Sequence, residues 1–442
     1  MKKILIAGIG GGKVDKSNTE LKRYKPANYK IGDKVYENKP FITSALEEHY
    51  NIDKTIYIGT TGSMWDNLYS YYCKKFNIPE DEDYTFKLLE IIDAANNQID
   101  FPIDKLDLTK FNETFKGKVE GRLTTYGMNA SEIFKNFNII MNLNNILNDG
   151  DEVYIDITHS FRSNAMWMFL VINFIDDIID KKITIKEISY GMLEVARANN
   201  NITPVVDLSS FYKLLKWIKG ANAFKKYGNS YDLLDIISDD DIRKKLNNFS
   251  ESMNLNYIKS IKNNIKSLKN INDKIDAIKG PGKFLIPDIV HNFINEFDGI
   301  EEDYLVQARL AKWHFKQKRY AMAYININES IKGYVENELK DYTYIPKNDN
   351  SNPYYAKAKA FLYRITYKKD TIKNDYPEIL ELYKMFDHST KVRNEIAHSK
   401  GEIDSSLSDI TSLKNYCDKI ETILSNTGNI ATAERYLNLL NN

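Results

Sequence analysis

Two short stretches of this 442-residue chain gather side chains that can act on or grip a phosphate. In Arg393-Asn394-Glu395-Ile396-Ala397-His398 an always-charged guanidinium and an imidazole that titrates near neutrality stand five residues apart, with an amide beside the arginine. Those are the groups that move a proton and stabilise a developing anion. Asn394 precedes His398 by four residues, so on a regular helix both fall on one face. Arg393 falls about 140° away from His398 at about 100° per residue, so a single regular helix cannot aim both at one phosphate. Either the backbone is irregular near Arg393, or the site is composite and two subunits contribute. A purely structural reading pairs Arg393 with Asp387 or Glu395 and makes His398 a cation at a helix end. The spacing alone is a weak signal, because Arg309-Leu310-Ala311-Lys312-Trp313-His314 repeats it. Arg309 and His314 lie inside a long helical stretch and read as ordinary exposed polar residues.

The second stretch, Asp156-Ile157-Thr158-His159-Ser160-Phe161-Arg162-Ser163, follows a strand-like run and offers hydroxyls, an imidazole, an aromatic face and a cation. These suit a nucleotide with phosphates and stacked bases. Asp156 reads as an anchor for the loop through backbone N–H groups. Two glycine loops supply further donors. Gly8, Gly10, Gly11 and Gly12 follow the first strand and let backbone N–H groups approach a phosphate or sugar. The run fails as a Walker A loop, with Ala7 at its first glycine and Val14 at its Ser/Thr, and Lys13 breaks a dinucleotide fingerprint. ATP hydrolysis and dinucleotide redox chemistry both lose support. Gly59-Thr60-Thr61-Gly62-Ser63 places Thr60, Thr61 and Ser63 at a helix start, where an anion site or a helix cap by Ser63 or Thr61 is expected.

The elements that carry these loops are legible in outline. Up to about residue 215, runs at Lys3–Ala7, Thr55–Ile58, Glu152–Ile157 and Ile183–Tyr190 alternate with helical patterns at Ser63–Phe76 and Ser131–Leu147. That alternation predicts an α/β domain with a mainly parallel sheet, whose ligands bind along the carboxyl ends of the strands. Beyond Phe211 the pattern is helical; Tyr320, Ala323, Ile327 and Ile331 form one apolar stripe. Gly280-Pro281-Gly282 and the polar patch 348–352 separate helical blocks. The expected division is residues 1–215, a connecting helix or linker over 216–235, and an all-α domain over 236–442. Lys259, Lys262, Lys266 and Lys269 read as a solvated helix face.

Composition bounds the partners. Lys+Arg and Asp+Glu both number 61, so a wide basic surface that coats nucleic acid is excluded, though a local cleft is not. Two distant cysteines, Cys73 and Cys417, exclude a disulfide framework or a four-cysteine zinc site and fit a reducing compartment. The run Ile4–Ile9 breaks into glycines without a cleavage site, and Met166–Ile175 is too short to span a bilayer, so a cytoplasmic protein without membrane contact is expected.

With Asp156-Ile157-Thr158-His159-Ser160 followed by Phe161-Arg162-Ser163, the sequence resembles the accessory ribonucleases of type III CRISPR systems, which join an N-terminal CARF sensor to a C-terminal HEPN nuclease. It is similar to the Asp-x-Thr-His-Gly branch, with Ser160 in the glycine position. Tyr190-Gly191-Met192, Pro204-Val205-Val206-Asp207-Leu208, Trp217, Ala223-Phe224 and Tyr227-Gly228 look like the close of that sensor. In the helical half the resemblance rests on Arg393–His398 alone. It implies a Rossmann-like CARF domain followed by an all-α HEPN domain, with cyclic oligoadenylate bound across a homodimer axis. The implied ligand contacts are Gly8 to Gly12, Thr158, His159, Ser160 and Arg162; Thr60, Thr61 and Ser63 rest on the physical argument only. The implied activity is cleavage of single-stranded RNA without metal or other cofactor, by attack of the 2′-hydroxyl to leave a 2′,3′-cyclic phosphate. Arg393 and His398 would be catalytic and Asn394 would orient His398 or a phosphate oxygen. Slow cleavage of the activator by the sensor is compatible with this. The alternative, from another class, is an oligonucleotide-sensing regulator whose helical half only dimerises or docks a partner.

Overall fold

The computed structural model describes residues 1–11, 26–98, 101–159, 170, 173–174, 181–341, 353–367, 374–399, 403–426, 428, 430–433 and 435. The chain divides into two compact units, Met1–Lys213 and Leu214–Asn442. Gly12, Ser160, Arg162, most of the run 166–175 and the patch 348–352 lie outside the described residues.

The first unit is built on one eight-stranded sheet. Its strands are β1 (Lys3–Ile9), β2 (Ala27–Ile31), β3 (Lys34–Lys39), β4 (Lys54–Gly59), β5 (Val119–Leu123), β6 (Glu152–Asp156), β7 (Thr184–Gly191) and β8 (Ile202–Asp207), in the order β3-β2-β8-β7-β6-β1-β4-β5. Pairing is parallel from β7 through β6, β1 and β4 to β5, and antiparallel at β7–β8 and β2–β3. The mainly parallel sheet and the helical second unit match the expected fold class. Residues pointing to alternate faces fill two cores. One holds Leu5, Ala7 and Tyr57 with Trp65, Tyr69 and Phe111; the other holds Ile4, Ile6, Ile56 and Ile155 with Ile140 and Leu147.

Four strands were missed, each for a local reason. β2 and β3 form a hairpin around Gly32, which has φ of 56°, and their polar Lys, Tyr and Asn content hides the pattern. β5 carries Gly121 and Arg122, and β8 carries Pro204. Helices α1 (Ile42–Tyr50), α2 (Trp65–Phe76), α3 (Glu82–Asn96) and α4 (Ala130–Met141) cover the sheet. Helix α4 ends six residues before the expected Leu147 and tightens into a 3-10 turn at Asn142–Asn145.

The boundary between units falls inside α5 (Ser209–Tyr227). The second unit contains α6 (Asp240–Leu255), α7 (Ile258–Lys269), α8 (Ile286–Phe297), α9 (Asp303–Lys316), α10 (Tyr320–Glu338), α11 (Pro353–Tyr367), α12 (Pro377–His398) and α13 (Ile403–Leu424). The predicted stripe is real: Ala323, Ile327 and Ile331 are fully buried, packed with Phe361, Leu382 and Leu413. On α7 the lysine face is laced by ion pairs, Lys262 to Asp303 at 2.7 Å and Lys269 to Asp298 at 2.6 Å. None of the described helices is long and apolar enough to cross a membrane.

Candidate functional site

Parallel pairing brings the carboxyl ends of β1, β4 and β6 side by side, so the loops after Ile9, Gly59 and Asp156 meet along one edge. Gly8 is not part of that edge. β1 runs two residues further than expected, and Gly8 sits buried within it opposite Ile58. Gly10 is where the first and third loops touch: a Cβ there would lie 2.9 Å from the His159 carbonyl oxygen, so any side chain would push them apart. Gly11 is exposed. Among the described glycines of this loop, Gly10 and Gly11 are the ones left to meet a ligand.

The second loop is turned inward. Thr60, Thr61 and Ser63 are buried, and the Ser63 hydroxyl donates to the Ile9 carbonyl at 2.8 Å while accepting the Thr60 N–H at 3.0 Å. Trp65 adds an indole N–H bond of 2.8 Å to the Thr60 carbonyl. The Ser63 hydroxyl therefore stitches two loops together, and α2 begins at Trp65 without a side-chain cap from either Ser63 or Thr61. The cap expected there is replaced by this internal bonding, and the Ser63 hydroxyl expected to face an anion is engaged within it, because buried backbone groups must find partners.

The third loop behaves as the Asp156 reading requires. Asp156 is fully buried; one carboxylate oxygen accepts the Thr158 hydroxyl at 2.5 Å and the Thr158 N–H at 3.3 Å, and the other has no partner among the described residues. Burial pushes its carboxyl up to about 7, partly offset by the two bonds from Thr158. The Thr158 hydroxyl in turn accepts the Gly191 N–H at 2.8 Å, tying the loop to the end of β7. His159 is half-buried, and desolvation pushes its imidazole down to about 4, so it is neutral at neutral pH. Its neutral ring can donate and accept hydrogen bonds toward a nucleotide without adding charge. Residues missed from the sequence also shape this edge. The side chains of Asn96, at the end of α3, and Tyr126 press on Gly62, where a Cβ would meet them at 2.5 and 3.2 Å. Nothing in their local sequence marks them.

In the second unit, α12 is one continuous helix through Arg393 to His398. The irregular-backbone alternative therefore falls, and Arg393 and His398 of one chain leave the helix in different directions. Asn394 and His398 are exposed on the last turn. Arg393 pairs with neither Asp387 nor Glu395. Its Nη1 lies 3.4 Å from Glu329 Oε1 on α10, while Asp387 binds Lys391 at 2.8 Å.

The second Arg-x4-His copy is structural, but not exposed as expected. Arg309 grips Glu421 through Nε and Nη2 at 2.6 and 2.9 Å, and donates to the Glu296 carbonyl. His314 is wholly buried beside Trp313, both ring nitrogens without a partner among the described residues, and burial pushes it down to about 3. A protonated His314 is favoured only in the unfolded chain, so stability present above pH 6.5 is lost as the pH falls toward 3. Replacing it, as His314→Leu, is expected to raise the unfolding midpoint and to remove about 2 kcal/mol of acid destabilisation at about pH 5. Urea unfolding at two pH values measures both; an unchanged pH slope would mean that His314 is not buried neutral. Among the described residues no group of three or more His, Cys, Asp or Glu is placed to hold a metal ion.

Comparison with known proteins adds similarities to two domain families and one relative. Residues 4–194 match the CARF domain of the CRISPR system endoribonuclease Csx1, and residues 213–301 match the second domain of the CRISPR-associated protein MJ1674. The CRISPR-associated protein MJ1674 of Methanocaldococcus jannaschii is 36% identical over 351 residues, which are 75% of this chain and 53% of that protein. The chain thus spans about half the length of the curated relative it matches. Enterococcus italicus Csm6 bound to cyclic hexa-2′-fluoro-hexa-dAMP is a distant structural neighbour, 13% identical with a TM-score of 0.38 over 96% of this chain and 94% of that one. That likeness is too slight to argue from. The two domain matches and the MJ1674 relative show that the chain is similar to CRISPR-associated proteins, its first unit to a CARF domain.

Proposed function

We propose that this protein is a homodimeric, cyclic-oligoadenylate-gated endoribonuclease that cleaves single-stranded RNA without a metal ion. The observation that carries the reading is the last turn of α12, where Asn394 and His398 stand exposed together while the competing Arg-x4-His copy is locked in the interior. In the proposed site His398 takes the proton from a ribose 2′-hydroxyl as that oxygen attacks the phosphorus, the guanidinium of Arg393 from the second chain stabilises the phosphorane, and the imidazolium returns the proton to the 5′-oxygen as the P–O5′ bond breaks. Asn394, on the His398 face, orients the ring or a phosphate oxygen. The activator would lie across the strand-end loops, against Gly10, Gly11, Thr158 and His159, with Gly12, Ser160 and Arg162 carried over from the resemblance. DNA lacks the nucleophile and should resist.

The test is cleavage of a fluorescent RNA by the purified chain with metal chelated, against a panel of cyclic and linear oligoadenylates. Cleavage that appears only with a cyclic oligoadenylate, survives chelation and spares DNA supports the proposal. A requirement for magnesium, or equal cutting of DNA, would overturn it.

A second reading, an oligonucleotide-sensing regulator whose helical unit only dimerises or docks a partner, is favoured by one observation. Arg393 already has a carboxylate beside it. Activator binding without cleavage of any RNA would select that reading. Slow cleavage of the activator at the sensor, a third activity, has to work without a free Thr158 hydroxyl, which already bonds Asp156 and Gly191.

A further inference from the structure

Glu329 lies on α10, which packs along α12. Its neighbour Asn328 is wholly buried and fixes the register of the two helices, donating to the Thr390 hydroxyl at 2.8 Å and the Ser389 hydroxyl at 3.1 Å. One turn beyond Thr390 stands Arg393, so the register that Asn328 sets brings Glu329 against the guanidinium at 3.4 Å. The carboxylate is itself anchored from behind. Lys332, one turn on along α10 and only 3% exposed, donates to the same Oε1 at 2.5 Å.

The two contacts are unequal. Lys332 makes a short charge-assisted bond from the interior, whereas Arg393, 39% exposed, makes a single long contact beyond ordinary N–H···O hydrogen-bond length. A carboxylate that positions an arginine for phosphate binding normally does so through short, paired bonds. Here the carboxylate is fixed to α10 and the arginine is the loosely held arm. A negative charge next to the guanidinium also opposes what the guanidinium is needed for, since it neutralises the cation and repels an incoming phosphate.

We infer that Glu329, held by Lys332, is a resting-state latch on Arg393, and that the RNA-cleaving arrangement requires Arg393 to leave it. The inference rests on the proposed ribonuclease reading and deepens it by naming what keeps the site idle. Activator binding has then only to favour the arrangement in which Arg393 is released, an ordinary population shift.

The experiment compares wild type, Glu329→Gln and Glu329→Gln/Arg393→Ala full-length proteins on fluorescent RNA with metal chelated, each with and without cyclic oligoadenylate. Because Glu329→Gln removes one of the carboxylates that act on buried Lys332, the other being Glu336, Glu329→Gln/Lys332→Met is included, with thermal unfolding to show that each protein folds. The expected result is activator-free cleavage raised roughly tenfold or more in Glu329→Gln and in the Lys332 double variant. Adding Arg393→Ala should abolish it. If wild type responds to activator but both Glu329 variants keep the low wild-type basal rate, or lose activated cleavage, the latch is wrong and the ribonuclease reading stands. If wild type is silent with every activator while Glu329→Gln cleaves in an Arg393-dependent way, the latch stands and the gating reading falls. Silence in all proteins overturns both.

Discussion

An equal mixture of Arg393→Ala and His398→Ala proteins is expected to regain roughly one quarter of wild-type RNA cleavage, although each variant alone is inactive. The continuous helix through Pro377–His398 is the reason. Within one chain Arg393 and His398 diverge by about 140°, so a productive pair takes the guanidinium from one protomer and the imidazole from the other. Random exchange makes about half the dimers mixed, and each mixed dimer has one complete composite site of two. Each variant alone should lose about a thousandfold or more, the scale of removing an acid–base group or an anion stabiliser. Cleavage is measured on one RNA with activator present and metal chelated, after the mixed proteins have been allowed to exchange subunits. No recovery on mixing would mean that each site is assembled within a single chain, and the composite geometry would be wrong. His314→Leu is the matched control, since it alters the same motif spacing in α9 without touching the proposed site.

The second large effect is thermodynamic. Asp156 titrates near 3.8 in an unfolded chain and at about 7 in the folded one, chiefly because burial disfavours its charged form. The folded state therefore binds the proton more tightly. The stabilisation this brings is fully present below about pH 4 and is lost as the pH rises through about 7. Over that window the wild-type first unit should lose about 4 kcal/mol from this group alone. Asp156→Asn keeps an oxygen for the Thr158 N–H and hydroxyl but cannot ionise, so its stability should not fall with rising pH in this way. Hydrogen exchange of the β6 amides at about pH 5 and about pH 8, in both proteins, reports the first unit separately from the helical one. Parallel pH profiles in the two proteins would show that Asp156 remains ionised in the fold. The loop is thus built on a carboxyl group whose ionisation the fold opposes through burial.

How much of this was legible in sequence depended on whether the signal was local. The strands β1, β4, β6 and β7 were readable because each is a short β-branched run between turn signals. β8 was not, because a proline inside a strand argues against it until the partner strands are known. That Asp156 anchors its loop was readable, but its main partner, the Thr158 hydroxyl rather than a backbone N–H, was not. The role of Ser63 was not readable either, since its acceptor is the carbonyl of Ile9, 54 residues away.

By itself the sequence determined the class of the two units, the loops that gather at one sheet edge, and the angular conflict between Arg393 and His398, because all three follow from residue order and helix or strand period. Only the tertiary structure decided which of two identical motif spacings is exposed, which hydroxyls are already spent, and which carboxylate faces Arg393. Those answers turn on burial and on partners brought from distant parts of the chain: Glu421 to Arg309, Gly191 to Thr158 and Glu329 to Arg393. Burial and long-range pairing are properties of packing, and no local pattern encodes them.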